Sequence, residues 1–282
     1  MRCSSALAHL ALLLGASAPM ALPAQQPAAG GPPKVLQIFV ESVKPGKGAA
    51  HEKVEAGWPL AFRKAKWPSH YLAMTSMTGP SEAWFMSGYD SFEAWEADGK
   101  HMERTPALQQ EVNRLGLQDG ELLTGTKGIV AVYREDLSYR PNIKLGEMRY
   151  FTVTMFTLRP GYDSAFADIR KLVQAGHEKT NMDEHWAMFQ VLSGMPGSTY
   201  LLFLPMKSLK EVDVGQEIHG KPYLDALGDD GRRQLREFAR SGYADVESTL
   251  FAFSPKMSYP SDDLASSDPA YWKPQAVSSA KP

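Results

Sequence analysis

The segment Leu36-Gln37-Ile38-Phe39-Val40-Glu41-Ser42-Val43-Lys44-Pro45-Gly46 returns 115 residues later as Phe151-Thr152-Val153-Thr154-Met155-Phe156-Thr157-Leu158-Arg159-Pro160-Gly161. Each copy is a strand of period two closed by a basic-Pro-Gly turn. His70-Tyr71 matches His185-Trp186 at the same offset, Ser91-Phe92 matches Ser208-Leu209 at 117, and Ser138-Tyr139 matches Ser258-Tyr259 at 120. The matches keep their order and the offset drifts only by loop-sized steps. The chain must therefore fold as two versions of one unit of about 110 residues.

Both versions read alike. A first strand (about 35–43 and 149–158) leads into a helix (about 47–65 and 162–179) with apolar positions at helical spacing, such as Val54, Trp58, Ala61 and Phe62, or Phe166, Ile169, Leu172 and Val173. Two strands joined by a Gly/Pro turn follow, 70–77 with 82–89 and 185–192 with 199–204. A second helical region opens at Asp90-Ser91 or Lys207-Ser208, with the serine as N-cap, and a last strand closes the unit at 129–134 or 249–253. The order is βαββαβ, the split βαβ or ferredoxin-like arrangement, so the fold class is α+β. Helices cover one face of such a sheet and leave the other bare. The strands here are apolar on both faces, as in Ala83-Trp84-Phe85-Met86 and Tyr200-Leu201-Leu202-Phe203, which is the pattern of a sheet packed on both sides. The expectation is a single-chain pseudo-dimer in which each unit covers the other, with a first repeat at 35–139, a linker at 140–147 and a second repeat at 148–259. Two independent beads would leave large exposed apolar patches.

The ends read differently. Residues 1–24 carry Arg2, an apolar run from Leu10 to Ala18 and a small-residue stretch ending Ala21-Leu22-Pro23-Ala24, the layout of a cleaved secretory signal peptide. That run is too short to span a bilayer. The expected location is periplasmic or secreted, with no membrane attachment after cleavage. Residues 25–34 read as a flexible leader and 260–282 as a tail rich in Ser, Pro and Asp, in which Tyr271 and Trp272 suggest docking. The one cysteine, Cys3, falls in the signal peptide, so the remaining 258 residues hold no disulfide, thiolate nucleophile or Cys metal ligand. After loss of Arg2, 29 Lys and Arg face 32 Asp and Glu, and no basic cluster points to nucleic acid.

Val43-Lys44-Pro45-Gly46-Lys47, Tyr89-Asp90-Ser91-Phe92-Glu93-Ala94-Trp95-Glu96-Ala97 and His101-Met102-Glu103-Arg104-Thr105-Pro106 together resemble the antibiotic biosynthesis monooxygenase-like and NIPSNAP-like branch of the dimeric α/β barrel superfamily. The resemblance covers both repeats. It implies an eight-stranded barrel made of two sheets, a small pocket in each half between sheet and helices, and chemistries that range from cofactor-free oxidation of polyketide-like aromatics to haem degradation and lactone isomerisation. It also implies that the histidine opening the second helix faces the pocket, which falls on His101 and more loosely on His219. The family's second histidine after the proline is replaced by Ala107 and Tyr223, and neither first strand carries the Asn of the haem-degrading branch.

The repeat adds a further pattern, since His70 pairs with His101 at a spacing of 31 and His185 with His219 at 34. A strand residue on the helix-covered face can approach the second helix, so each pair is a candidate to share a pocket, with Glu103 or Glu217 nearby, as general base and substrate orienter. The competing reading is two inherited structural histidines. A metal between imidazole and carboxylate is a third reading, but no His-x-x-His or His-Glu-x-x-His exists, and no cofactor is expected. His51 and His177 match no histidine across the repeat and read as surface helix residues. Trp84, Trp95, Tyr200 and Trp186 are candidates to line an apolar pocket, set against an ordinary core role. No Gly-x-Ser-x-Gly elbow or nucleotide-binding glycine loop is present. The expected function is binding of a small, largely apolar molecule, with cofactor-free monooxygenase-like activity as the enzymatic form. The alternative is a non-enzymatic interaction or structural protein. The His101-to-Pro106 stretch is intact and its counterpart is compressed to His219-to-Pro222, which puts the expected working pocket in the first repeat. Ligand identity and further association of pseudo-dimers are not written in the sequence.

Overall fold

Alternation of apolar side chains produces strands whose two faces meet different neighbours, and the strands use both. A computed structural model describes residues 31–218 and 220–273, apart from the side chains of residues 216–218. The expected signal peptide, most of the leader, the end of the tail and His219 lie outside the described residues. The strands are β1 (Val35–Val43), β2 (Tyr71–Ser76), β3 (Glu82–Tyr89), β4 (Leu123–Tyr133), β5 (Tyr150–Leu158), β6 (Ala187–Ser193), β7 (Thr199–Met206) and β8 (Tyr243–Phe253). They close into one antiparallel barrel in the order β1-β3-β2-β8-β5-β7-β6-β4. Leu36, Ile38, Val40, Met74, Trp84 and Met86 point inward from the first half and meet Phe151, Val153, Phe203 and Phe251 from the second.

The two halves share their register as well as their order. Ile38 lies opposite Met86 and Ile129, and its counterpart Val153 lies opposite Phe203 and Thr249. Both first strands shift register at the same place, between Ser42 and Val43 and between Thr157 and Leu158. Beyond each shift the basic-Pro-Gly turn places its glycine at positive φ, +75° at Gly46 and +84° at Gly161, where a side chain would be strained.

Helices lie outside the barrel: α1 (Gly48–Glu55) and α2 (Gly57–Ala65), then α3 (Phe92–Glu103) and α4 (Pro106–Gly120) in the first half. The second half has α5 (Asp163–Thr180), α6 (Lys210–Ile218) and α7 (Lys221–Ser241), with the short α8 (Asp262–Ser266) and α9 (Pro269–Trp272) in the tail. The single helix expected over 47–65 breaks at Ala56, because Pro59 has no amide to bond the carbonyl of Glu55. The counterpart position is Gln174, and α5 runs unbroken. Ser91 caps α3 by accepting from the Ala94 amide at 3.1 Å, and Ser208 with Glu211 forms a capping box at α6. β4 and β8 begin at 123 and 243, six residues before the expected strands. Those added residues, such as Thr124 to Lys127, are polar and exposed, and they are held by the β1 ladder without an apolar pattern to mark them.

Barrel closure is crosswise. β8 of the second half pairs with β2 of the first, and β4 of the first pairs with β6 of the second. The Ser-Tyr pair after each last strand completes the crossing. Ser258 Oγ accepts from the Ala73 amide at 2.9 Å and Tyr259 bridges to Tyr71, while Ser138 Oγ accepts from the Met188 amide at 2.9 Å and Tyr139 bridges to Trp186. The tail folds back onto the barrel, where Trp272 is 1% exposed and its indole N–H donates to the Gly146 carbonyl at 2.6 Å. Among the described residues no helix is long and apolar enough to cross a membrane.

Ser258→Ala strands a buried amide at Ala73 and should cost about 1–3 kcal/mol in urea unfolding, with Ser138→Ala acting similarly at Met188. Trp272→Ala, which empties a closed packing site, should cost about 3–5 kcal/mol by the same measurement. A loss below 0.5 kcal/mol, the ordinary range for surface changes, would refute the clip.

Candidate functional site

β1 sends Val40 into the barrel and therefore Glu41 outward, beneath the helices. α1 places His51 and Glu55 four residues apart on one face, and Asp119 lies at the end of α4. These four residues converge: all are buried, and one potential ligand atom from each lies within 4.8 Å of the others. His51 Nε2 is 2.7 Å from Glu41 Oε2 and 3.6 Å from Asp119 Oδ1. Glu55 Oε1 and Asp119 Oδ1 are buried without a hydrogen-bond partner. Among the described residues no Lys or Arg forms an ion pair with any of the three carboxylates.

Electrostatics follow from that crowding. Burial, then Glu41, then Asp119 push the Glu55 carboxyl up to about 9. The indole N–H of Trp58 opposes this rise but makes no hydrogen bond of ordinary geometry. Asp119 is also raised, by burial first and Glu41 second, with His51 opposing. Three buried acids around one imidazole are costly unless a proton or cation is shared among them.

The second half uses the same places differently. At the repeat offset of 115, Glu41, His51 and Glu55 become Phe156, Phe166 and Arg170. Phe166 is fully buried, 5.4 Å from the Phe156 ring and 6.1 Å from Phe238, which stands at the end of the long helix α7. Burying each of those rings is worth about 1.5–3 kcal/mol, so an apolar filling of this layer is available to the fold. The first half departs from it at a stability cost.

His51 also lines a cleft of about 420 Å³ at the end of the barrel where β1, β2, β3 and β8 meet. Its walls combine Val43, Phe253 and Met257 with Ser76, Glu82 and Lys256. Lys256 Nζ donates to Glu52 Oε2 at 3.1 Å beside it. A second cleft of about 280 Å³ lies against Met182, Val214 and Pro222.

The residues named from the sequence are spread more widely. His70 is half-buried, packs on Tyr259 at 4.6 Å and has its Nδ1 buried without a partner, and its pKa is lowered chiefly by burial. His101 is exposed and packs on Trp67 at 4.7 Å. Each of these histidines therefore meets an aromatic ring, and the two rings are joined by a 2.9 Å bond from Tyr259 OH to the Trp67 carbonyl. His185 Nδ1 donates to the Arg140 carbonyl at 2.7 Å, and its Nε2 lies 3.1 Å from Asp183 Oδ1. Trp84 lies inside the barrel, Trp95 is half-buried beside Tyr89, Trp186 donates to the Leu137 carbonyl at 2.9 Å, and Tyr200 OH donates to Asp163 at 3.0 Å. None of these described residues lines the 420 Å³ cleft.

His51 and His177 require correction, because neither is a surface residue. Both are 2% exposed. His177 sits 2.7 Å from Glu184 and edge-on to Trp186, in the place that Phe62 takes in the first half. A position where a repeat exchanges a buried aromatic for a charged residue is the sequence mark of this cluster. It is present at Glu41/Phe156 and His51/Phe166, and the i, i+4 spacing of His51 and Glu55 reinforces it.

No family model matches the chain, and no curated protein matches it in sequence. Solved structures do match in fold. An anthrone oxidase-like protein has a TM-score of 0.51 at 11% identity, over 81% of this chain and 92% of the other. A candidate monooxygenase of Fusobacterium nucleatum gives 0.51 at 14% identity, over 79% and 93%. One from Lactobacillus acidophilus gives 0.50 at 5% identity, over 78% and 93%. The chain thus shares its overall fold with these structures, an eight-stranded antiparallel barrel clad in helices.

The raised Glu55 has a definite pH consequence. The folded chain keeps a proton that the unfolded chain releases near its ordinary 4.5, so this contribution to stability is complete below that pH and is lost as pH rises through about 9. Melting temperature in metal-free buffer should therefore fall across this window. Glu55→Gln holds the neutral form and should flatten the dependence, melting above the wild type at about pH 8. Parallel pH curves for the two proteins would show that Glu55 is not the titrating group.

Proposed function

We propose that this is an exported, single-chain dimeric α/β barrel, a tandem fusion of two ferredoxin-like units, that binds a small molecule in the first-half cleft and oxidises it in a monooxygenase-like reaction. The observation that carries the reading is the inequality of the halves. One keeps a buried imidazole among carboxylates at the wall of a cleft, and the other fills the same layer with phenylalanine. Fusion is supported by the matching strand orders β4-β1-β3-β2 and β8-β5-β7-β6 and by the equal registers of β1 and β5. Export is supported by residues 1–24, and N-terminal sequencing of the exported protein should begin at Gln25.

A cleft of this size suits a ligand of drug-like dimensions. Its mixed walls favour a molecule whose apolar body packs on Val43, Phe253 and Met257 while a hydroxyl or carbonyl meets Ser76 or Lys256. In the simplest reaction of this class, a methylene carbon loses two hydrogens and gains one atom of dioxygen, and the second oxygen atom leaves as water. Anthrone, converted in this way to the quinone, is the first probe, because one structure of similar fold is named anthrone oxidase-like.

Oxygen uptake and quinone absorbance should rise with the wild type and be abolished in His51→Phe, which copies the second half and so keeps a packable layer. His70→Ala and His101→Ala should retain turnover. The opposite pattern would move the chemistry to the histidine pair on the other side of the helical layer. Absence of both binding and turnover across a panel of hydroxylated aromatics would favour the non-enzymatic alternative.

A further inference from the structure

We infer that Glu41, His51, Glu55 and Asp119 form a binding site for one divalent transition-metal ion, of the Mn²⁺, Fe²⁺ or Zn²⁺ class, buried between β1, α1 and α4. Geometry carries this inference. Donors held at about 2.0–2.2 Å from one ion lie roughly 3 to 4.4 Å from each other. The four candidate donor atoms lie within 4.8 Å of one another, so a contraction of a few tenths of an ångström encloses an ion. His51 Nε2 and Glu41 Oε2, now 2.7 Å apart, need only part slightly to become neighbouring ligands.

A second observation points to a ligand. Glu55 is 3% exposed, yet Glu55 Oε1 has no hydrogen-bond partner, and Asp119 Oδ1, on a residue 2% exposed, has none either. Buried carboxylates of a purely structural network are normally satisfied by donors, whereas here Trp58 and His51 stand close by and Glu55 Oε1 and Asp119 Oδ1 still lack a hydrogen bond. The chemistry of the set narrows the ion. Three carboxylates and one neutral imidazole suit a borderline or moderately hard divalent metal, whereas Ca²⁺ and Mg²⁺ sites rely on oxygen alone. Charge agrees, since a dipositive ion that displaces the remaining carboxyl protons would face three carboxylates and leave a net charge of only −1. The second half is an internal control: Phe156, Phe166 and Arg170 at the same positions offer no ligand and supply a fixed cation.

His51 stands both in the cluster and on the cleft wall, so an ion there would sit one side chain from whatever the cleft holds. The site stands independently of the oxidation reading, because its test is binding and not turnover. The protein stripped with chelator is titrated separately with Mn²⁺, Fe²⁺ under anaerobic conditions, and Zn²⁺, following bound metal per chain after desalting and the melting temperature. The expected result is one ion per chain with a rise in melting temperature that grows with free metal. Glu55→Gln and Asp119→Asn, each close in volume and folded by circular dichroism, should weaken binding by more than the roughly 10–100-fold that loss of a supporting group costs. Glu178→Gln, at an exposed position of α5, should bind as the wild type does. No stoichiometric binding of any of the three ions would overturn the inference, as would binding unchanged in both Glu55→Gln and Asp119→Asn. Metal binding without anthrone turnover would leave this site standing and reject the oxidation reading alone.

Discussion

Each four-stranded sheet of this chain has one face that its own helices cannot reach, and everything else follows from how that face is covered. The solution is closure: β2 with β8 and β4 with β6 join the two sheets edge to edge, so that Leu36, Ile38, Trp84, Phe151 and Phe203 share one interior. No sheet edge is then left unpaired, which removes the usual template for aggregation. The same closure requires apolar side chains on both faces of most strands. A polar residue such as Glu41 on the helix-covered face therefore stands out as an expense in stability that the fold does not need.

Much of the architecture was legible because it is written twice. Period-two alternation marked β1 and β5 within a residue, and the basic-Pro-Gly turns that end at Gly46 and Gly161 were recognisable as turns. The Ser-Tyr pairs were visible as matches, but their role was not. Hydrogen bonds from Ala73 to Ser258 and from Met188 to Ser138 join residues 185 and 50 apart, and no local pattern encodes such reach. The early parts of β4 and β8 were hidden for a related reason, since backbone pairing alone holds their polar residues in place.

The candidate site was harder to see. The histidines that recur in both halves are His70, His101, His185 and His219, whereas the buried cluster contains one that does not recur. His51 answers to Phe166, and in turn His177 answers to Phe62. A polar residue with no polar match in the other half reads, on sequence grounds, as free to face solvent. Burial says otherwise, because matching positions of the two halves stay buried while what fills them changes. Glu55 and Asp119 come from helices separated by two strands, so their convergence on Glu41 is a property of the packed layer, not of any motif.

The crosswise clips also decide who owns the cleft. Phe253, Pro255, Lys256 and Met257, which form one of its walls, belong to the second half and are held there by β8 and by Ser258 docking on β2. The half that carries the charged cluster thus borrows part of its enclosure from the half that lacks one. The second half is in this sense an architectural limb of the first-half site. Because ladder bonds run across the junction, the halves cannot swing apart, and the mouth of the cleft can change shape only through the loops at that end of the barrel.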